Sequence, residues 1–308
     1  MSSLTSQERA ALEIAADAPM LAQVEDWAAV NSGTGNLAGL DRVSRKLADA
    51  FAALPGAIHL VEAEPVEAVL ADGSIKAIER GKHLHLAVRP EAPVRVLLTG
   101  HMDTVFAVDH PFQSLRWLEA GVLNGPGTAD MKGGLSVILA ALGALEASPW
   151  AGRIGYDVLI NSDEETGSHA SARLIAELAK GKIAALTYEP ALPDGTLAGA
   201  RPGSGNFSIT IHGKAAHAGR NPEDGRNALL AAADLALRLN AARSPGLKVN
   251  PARIDGGGPN NIVPDHAILR VNMRPMSPDD MIAAESMLKD SIAAISREHG
   301  VHCHLHGG

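Results

Sequence analysis

Chemistry in this chain concentrates where apolar runs end in glycine, histidine or acid. The stretch LLTGHMDTVF carries an apolar strand to Gly100, and His101 and Asp103 follow on the same side of the chain. Ligands bind just beyond the carboxyl ends of strands in an open α/β sheet. A histidine ligand also needs its second ring nitrogen held, commonly by a carboxylate; a polar loop is the plain alternative. LNGPGTADMKGGL then sets Asp130 in a glycine-rich turn leading into a helix. Gly125 and Gly127 begin like a dinucleotide fingerprint, but Asp130 stands where the third glycine belongs and would meet pyrophosphate with a negative charge. A Walker loop fails as well, because Lys132 has no preceding glycine and no following Ser or Thr. An acid ringed by glycines suits a hard cation approached closely by backbone, with a helix cap as the alternative. LINSDEETGS places Asp163, Glu164 and Glu165 at the end of another buried strand. Adjacent carboxylates repel and cost desolvation unless a positive charge sits between them. One can ligate a metal while its neighbour acts as general base. IAALTYEP ends a further strand in Glu189. A single loop acid is commonly solvated, but exits carrying His, Asp, paired Glu and Glu in succession point to a divalent-metal centre.

The elements that must hold these residues alternate. IHLVEA, HLHLAV, VRVLLTG, IGYDVLINS and IAALTYE have strand character. Helical spacing runs through 21–30, 36–54, 131–147 and 168–180. Alternating strands and helices predict a largely parallel sheet covered on both faces. Near Arg201 the character changes to strand NFSITIHG, helix 227–242, strand LKVNPARIDGG, strand AILRVNMRP, helix 278–296 and strand VHCHLHG. That βαββαβ order is the split ferredoxin-like unit. His302, His304 and His306 alternate along the last strand and read as its wet side, opposite Val301, Cys303 and Leu305. His83 and His85 take the same reading, and none of the five is a site candidate.

The motifs GHMDTV, GTADMKGG, DEETGS, EP, GKAAHAG, NIVP and NMRP follow in order between Gly100 and Pro275, and the likeness they carry runs from about Leu21 to Gly308. On them the chain resembles the dinuclear metallopeptidases that include bacterial glutamate carboxypeptidase, acetylornithine deacetylase and succinyl-diaminopimelate desuccinylase. The resemblance implies an α/β catalytic domain over residues 1–200, a mixed and mostly parallel sheet flanked by helices. An inserted α+β ferredoxin-like lid and dimerisation domain follows over 201–308. It implies two divalent metal ions, zinc first and cobalt second. His101 and Glu189 would hold one and Glu165 the other, with Asp130 bridging and a cis peptide after it. Asp103 would orient His101, and Glu164 would be the general base. His217 would reach a neighbouring subunit's site in a homodimer and stabilise the oxyanion. Arg201, Asn261 and Arg274 match positions that grip a substrate carboxylate, a task suited to a buried arginine. Their plain reading is ordinary strand-end polarity.

The implied reaction is metal-dependent hydrolysis of a peptide or N-acyl amide beside a free carboxylate, glutamate-releasing enzymes included. A deacylase of the acetylornithine or succinyl-diaminopimelate type differs only in pocket shape. A truncated, non-catalytic paralogue that dimerises through its lid is the reading from another class. Family members return to the first domain after the lid and supply a second histidine there. This chain stops at Gly308, so the expectation is a C-terminally truncated product lacking that ligand. A net charge of −8 argues against nucleic acid or an anionic membrane as partner. One cysteine, Cys303, excludes an internal disulfide framework. Scattered N-terminal charges and the lack of a membrane-length apolar stretch lead to the expectation of a soluble, cytoplasmic protein.

Overall fold

The computed structural model describes residues 4–199 and 201–307. In chain order the helices α1 (Ser6–Ala16), α2 (Met20–Ala28) and α3 (Leu37–Phe51) come first. Strands β1 (Ala57–Val61), β2 (Val66–Val69), β3 (Ile75–Ile78), β4 (His83–Val88), β5 (Val94–His101), β6 (Arg116–Glu119) and β7 (Val122–Asn124) follow. Next are α4 (Gly133–Glu146), β8 (Ile154–Asn161), α5 (Ala172–Ala179) and β9 (Ala184–Thr187). The last run is β10 (Gly205–His212), α6 (Ala228–Ala241), β11 (Leu247–Gly256), β12 (His266–Pro275), α7 (Pro278–His299) and β13 (His302–Gly307). The chain divides into two compact units, Met1–Val66 with Ile78–Thr196, and Glu67–Ala77 with Leu197–Gly308. A single cut near residue 200 therefore misses the small hairpin β2–β3, which groups with the second unit.

The first unit is built on a five-stranded sheet of order β1-β4-β8-β5-β9. Its β5–β8 and β5–β9 pairs are parallel, while β1–β4 and β4–β8 are antiparallel. Helix α3 follows from its sequence: Asn36 caps it by accepting from the Gly39 N–H at 3.1 Å, and Leu40, Val43, Leu47 and Phe51 recur on one buried face. That face packs with Trp27, Leu84, Leu86, Val158, Leu135 and Ile138 into one apolar cluster. Residues Thr128–Glu146 pass a membrane-span test by length and composition alone, although Asp130 and Lys132 interrupt the apolar run. Half of that window is buried, and Leu135, Ile138, Leu139 and Leu142 face the core.

The opposite face of the sheet mixes the buried Leu97 and Leu159 with polar residues. Asp157 on β8 accepts from His85 and pairs with Lys182, both at 2.7 Å. His83 is 1 % exposed, and Ser162 N–H donates to its Nδ1 at 3.3 Å. Neither histidine is a wet strand face, contrary to expectation. A strand exit and a neighbouring strand's acid enclose them, and neither was visible from local alternation.

The second unit has the βαββαβ order, folded as an antiparallel sheet β11-β12-β10-β13. Phe207, Ile209, Ile211, Ala267, Leu269 and Val271 point to one face, where α6 brings Leu235 and Leu239 and α7 brings Leu288 and Ile295. On the other face Arg270 donates to Ser208 Oγ at 3.2 Å and to the Val69 carbonyl at 2.9 Å, tying the β2–β3 hairpin to the sheet.

Candidate metal centre

Three parallel neighbours, β8, β5 and β9, end at the same edge of the first unit's sheet. That edge is where an open α/β sheet presents ligands. His101 is the last residue of β5, the Glu164–Thr166 turn follows β8, and Glu189 stands two residues beyond β9. Asp130 arrives from the turn before α4, between left-handed Gly127 at φ 72° and the helix start, and the Asp130–Met131 peptide bond is cis. Helix α4 is seated closely here. A Cβ on Gly134 would lie 2.0 Å from the Tyr188 carbonyl, and one on Gly100 would lie 2.5 Å from Leu135.

These exits bring one imidazole and four carboxylates together. His101 Nε2 lies 2.9 Å from Asp130 Oδ1, 3.6 Å from Glu189 Oε1 and 4.0 Å from Glu164 Oε2. His101, Asp130 and Glu165 each offer a ligand atom within 4.8 Å of the others, as do His101, Glu164 and Glu189. The other ring nitrogen, Nδ1, is held on the inner side by the Asp103 carbonyl at 3.1 Å and its carboxylate at 3.3 Å. His101 and Asp103 are both 1 % exposed, so the outward nitrogen faces the acids from a fixed, buried ring.

Electrostatics describe a site short of positive charge. Burial and the neighbouring Asp130 charge push Glu165 up to about 7, with His101 opposing. Glu189 is likewise raised, first by burial. Burial works against charging His101, but the hydrogen bond and charge of Asp103, with Glu189 and Glu164, lift it to about 9. Among the described residues no lysine or arginine forms a salt bridge with Asp130, Glu164, Glu165 or Glu189; His101 is the partner of three of them. Oxygen-rich acids around one oriented imidazole fit zinc-like divalent cations, whose charge would relieve this repulsion.

The sequence named Asp103 as the residue that orients His101 but did not show what else it holds. Asp103 accepts from the Thr34 hydroxyl at 2.7 Å and from the Glu164 and Glu165 N–H groups at 3.2 Å each. It therefore fixes the histidine and the paired acids together. Asp163 accepts from Ala170 N–H and the Ser171 hydroxyl, both at 2.7 Å, closing the loop after β8. Lys132 is 1 % exposed; burial depresses its ammonium to about 8, with Asp103 pulling the other way. A lysine beside a suspected metal acid was a visible signal, but its burial was not.

Comparison with known proteins bears on both units. Residues 199–300 match the model of the peptidase dimerisation domain, M20_dimer. The chain is 37 % identical over 198 residues to carboxypeptidase G2 of Pseudomonas sp. (strain RS-16), covering 63 % of this chain and 48 % of that protein. It is 29 % identical over 220 residues to succinyl-diaminopimelate desuccinylase 2 of Shewanella loihica, covering 64 % and 57 %. The chain resembles the M20 peptidases. It spans about half the length of the curated relatives it matches. An M20 family metallo-carboxypeptidase structure from Sulfolobus solfataricus superposes with a TM-score of 0.67 at 14 % identity, over 94 % of this chain and 78 % of that one, a likeness of fold.

Within the M20-like dimerisation domain, His217 and Asn261 lie on touching loops. His217 forms an isolated bridge with Ile262, Ala218 N–H donates to the Asn261 carbonyl at 2.9 Å, and Gly219 N–H donates to His217 Nδ1 at 3.1 Å. Arg274 is exposed on β12 and donates to Asn272 Oδ1 at 3.1 Å, so it is not the buried arginine expected. It lines an open cavity of about 550 Å³ with Arg243, Lys248 and Asn250. Arg201 is exposed before β10.

Proposed function

We propose that this chain carries the catalytic residues of a metal-dependent amidohydrolase that cleaves a peptide or N-acyl amide beside a free carboxylate. The observation that supports it is the convergence of His101 with Asp130, Glu164, Glu165 and Glu189 at one sheet edge, where among the described residues the acids pair with no lysine or arginine. In this reading His101, Asp130, Glu165 and Glu189 hold two divalent ions, zinc first. When bound, these supply Lewis-acid polarisation of the amide carbonyl and lower the pKa of water. Asp103 keeps His101 turned so that Nε2 faces outward. Glu164 is 47 % exposed, whereas its neighbour Asp163 is sealed in its loop, and that exposure suits a base that takes a proton from water and returns it to the leaving amine. His217 is the oxyanion donor, contributed across a homodimer formed through residues 201–308, and Arg201, Asn261 and Arg274 receive the substrate carboxylate. Two relatives, a carboxypeptidase and a desuccinylase, act on substrates of this general kind by their names. A cytoplasmic setting accords with a single-cysteine chain.

The test is hydrolysis of N-acyl amino acids and acyl-glutamates by the chain with added zinc or cobalt. Glu164→Gln should lower turnover by roughly 10²–10⁴-fold, the usual share of a general base, while leaving metal content unchanged. No turnover on any of these substrates, or equal turnover by the variant, would sink the reading.

A further inference from the structure

Along β13 alone, exposed His302 and His304 and half-buried His306 share one strand face. Cross-strand register gives them neighbours. His212 of β10 stands opposite His266 of β12 on one side and opposite His302 of β13 on the other. Directly paired residues in an antiparallel sheet point to the same face, with Cβ atoms about 4.5–5.5 Å apart. Three imidazoles therefore stand abreast over three adjacent strands. Their chain neighbours Ile211, Ala267 and Cys303 turn the other way, into the apolar core.

The rings of His212 and His266 have centroids 5.2 Å apart at 42°. Two imidazoles bound to one tetrahedral zinc, with Zn–N near about 2.0–2.1 Å, hold their centroids roughly 5 Å apart. The spacing of the two rings is compatible with a shared ion. Nε2 of His266 is buried and has no hydrogen-bond partner among the described residues. Its ring lies on the hairpin at Gly73, where a Cβ would come within 2.3 Å of Cε1, 2.7 Å of Nε2 and 3.4 Å of Nδ1, so the glycine keeps room for the ring and Nδ1 is the nitrogen farther from the hairpin. Around the row, Asp265 and Asp72 provide negative charge toward His212 and His266, and His304 adds a further imidazole beside His212. Burial, then His266, His302 and His304, hold His212 below its ordinary value. Neutral imidazole is the form that ligates zinc, copper and nickel. Among the described residues the preformed trios of metal-ligating atoms are those at His101, so His302 must turn about its side-chain bonds to join.

We propose that His212, His266 and His302 bind one divalent transition-metal ion of the zinc class on the open face of the second unit's sheet. The ion would clip β12, β10 and β13 together beside the β2–β3 hairpin. The site is independent of the His101 cluster and of the activity proposed for it.

Zinc sulfate is the probe, with the full chain dialysed against it at pH 7.5 and metal counted by elemental analysis. Parent protein should retain one zinc equivalent more than His212→Gln and one more than His302→Gln. His59→Gln, an exposed histidine of β1, should match the parent. An Asp130→Asn/Glu165→Gln variant, impaired at the His101 cluster, should keep the additional ion. Its copper(II) spectrum should show coupling to at least two imidazole nitrogens, lost when His212→Gln is added. Circular dichroism establishes that each variant is folded, and both His212 and His302 are exposed. Equal zinc content in parent, His212→Gln and His302→Gln would overturn the proposal, as would a folded cluster variant that binds no zinc or shows no nitrogen coupling.

Discussion

Asp103→Asn removes one charge and changes almost no volume, which makes it the sharpest probe of how the centre is held. Oδ1 of Asp103 receives Glu164 N–H at 3.2 Å and contacts His101 Nδ1 at 3.3 Å, while Oδ2 receives Thr34 Oγ1 at 2.7 Å and Glu165 N–H at 3.2 Å. An asparagine can present an oxygen on only one of these sides. Whichever way its amide turns, an NH₂ group faces one of the two glutamate N–H groups, donor against donor. The site is 1 % exposed, so water cannot relieve that conflict. Leaving one buried donor unpaired costs about 1–3 kcal/mol, and weakening the bonds to a charged acceptor adds to it, for a total of roughly 2–4 kcal/mol. Lys132 also loses the nearby charge that offsets its burial. Because the same carboxylate sets the ring of His101, zinc affinity should fall about 10–100-fold, the usual effect of removing a partner behind a metal-ligating histidine. Urea unfolding of metal-free protein reads the first quantity, and zinc titration against a competing chelator reads the second. A variant within about 0.5 kcal/mol of the parent, with unchanged zinc affinity, would show that Asp103 does not organise the centre.

Two further outcomes test the scaffold around it. Gly134→Ala puts a methyl 2.0 Å from the Tyr188 carbonyl, so the Tyr188–Glu189 segment must move; about 1–3 kcal/mol of destabilisation and reduced zinc retention are expected, measured by thermal unfolding and metal analysis. Glu146 accepts from Arg89 and from the Tyr156 hydroxyl, and the Arg89 hydrogen bond holds its carboxyl below the ordinary value of 4.5. A depressed folded pKa stabilises the protein above the unfolded value, and that contribution is lost as pH falls through the lower folded value. Glu146→Gln should therefore cost about 1–3 kcal/mol at pH 7, with the gap to the parent closing below about pH 4 in urea titrations; a gap that does not change with pH would refute the assignment.

The strand-exit acids were legible because their signal is local. An apolar run that stops at His101, at Asp163 through Glu165 or before Glu189 announces a buried strand and a polar tip in the same ten residues. Parallel neighbours then bring the tips to one edge with no further information. The βαββαβ unit was legible for a similar reason, since each of its elements carries its own period. What escaped were partners set by packing over long sequence separations. Thr34 reaches Asp103 across 69 residues, and nothing around Thr34 marks it. The β2–β3 hairpin is assigned to the second unit by contacts such as Arg270 with Val69, 201 residues apart.

Register is the clearest instance of what alternation cannot supply. On β13 the pattern His302, Cys303, His304, Leu305, His306 fixes which face each residue takes, and the structure keeps Cys303 and Leu305 against the core. The same alternation says nothing about which strand lies beside it or at what offset. Pairing β10 with β13 so that His212 meets His302, and with β12 so that His212 meets His266, is what turns isolated histidines into a row. A slip of one residue in either ladder would send one member of the row into the apolar core, where an imidazole without a partner is costly. The cost of burying imidazole and of exposing Leu305 thus enforces the register, and the register in turn sets three histidines on one face of adjacent strands.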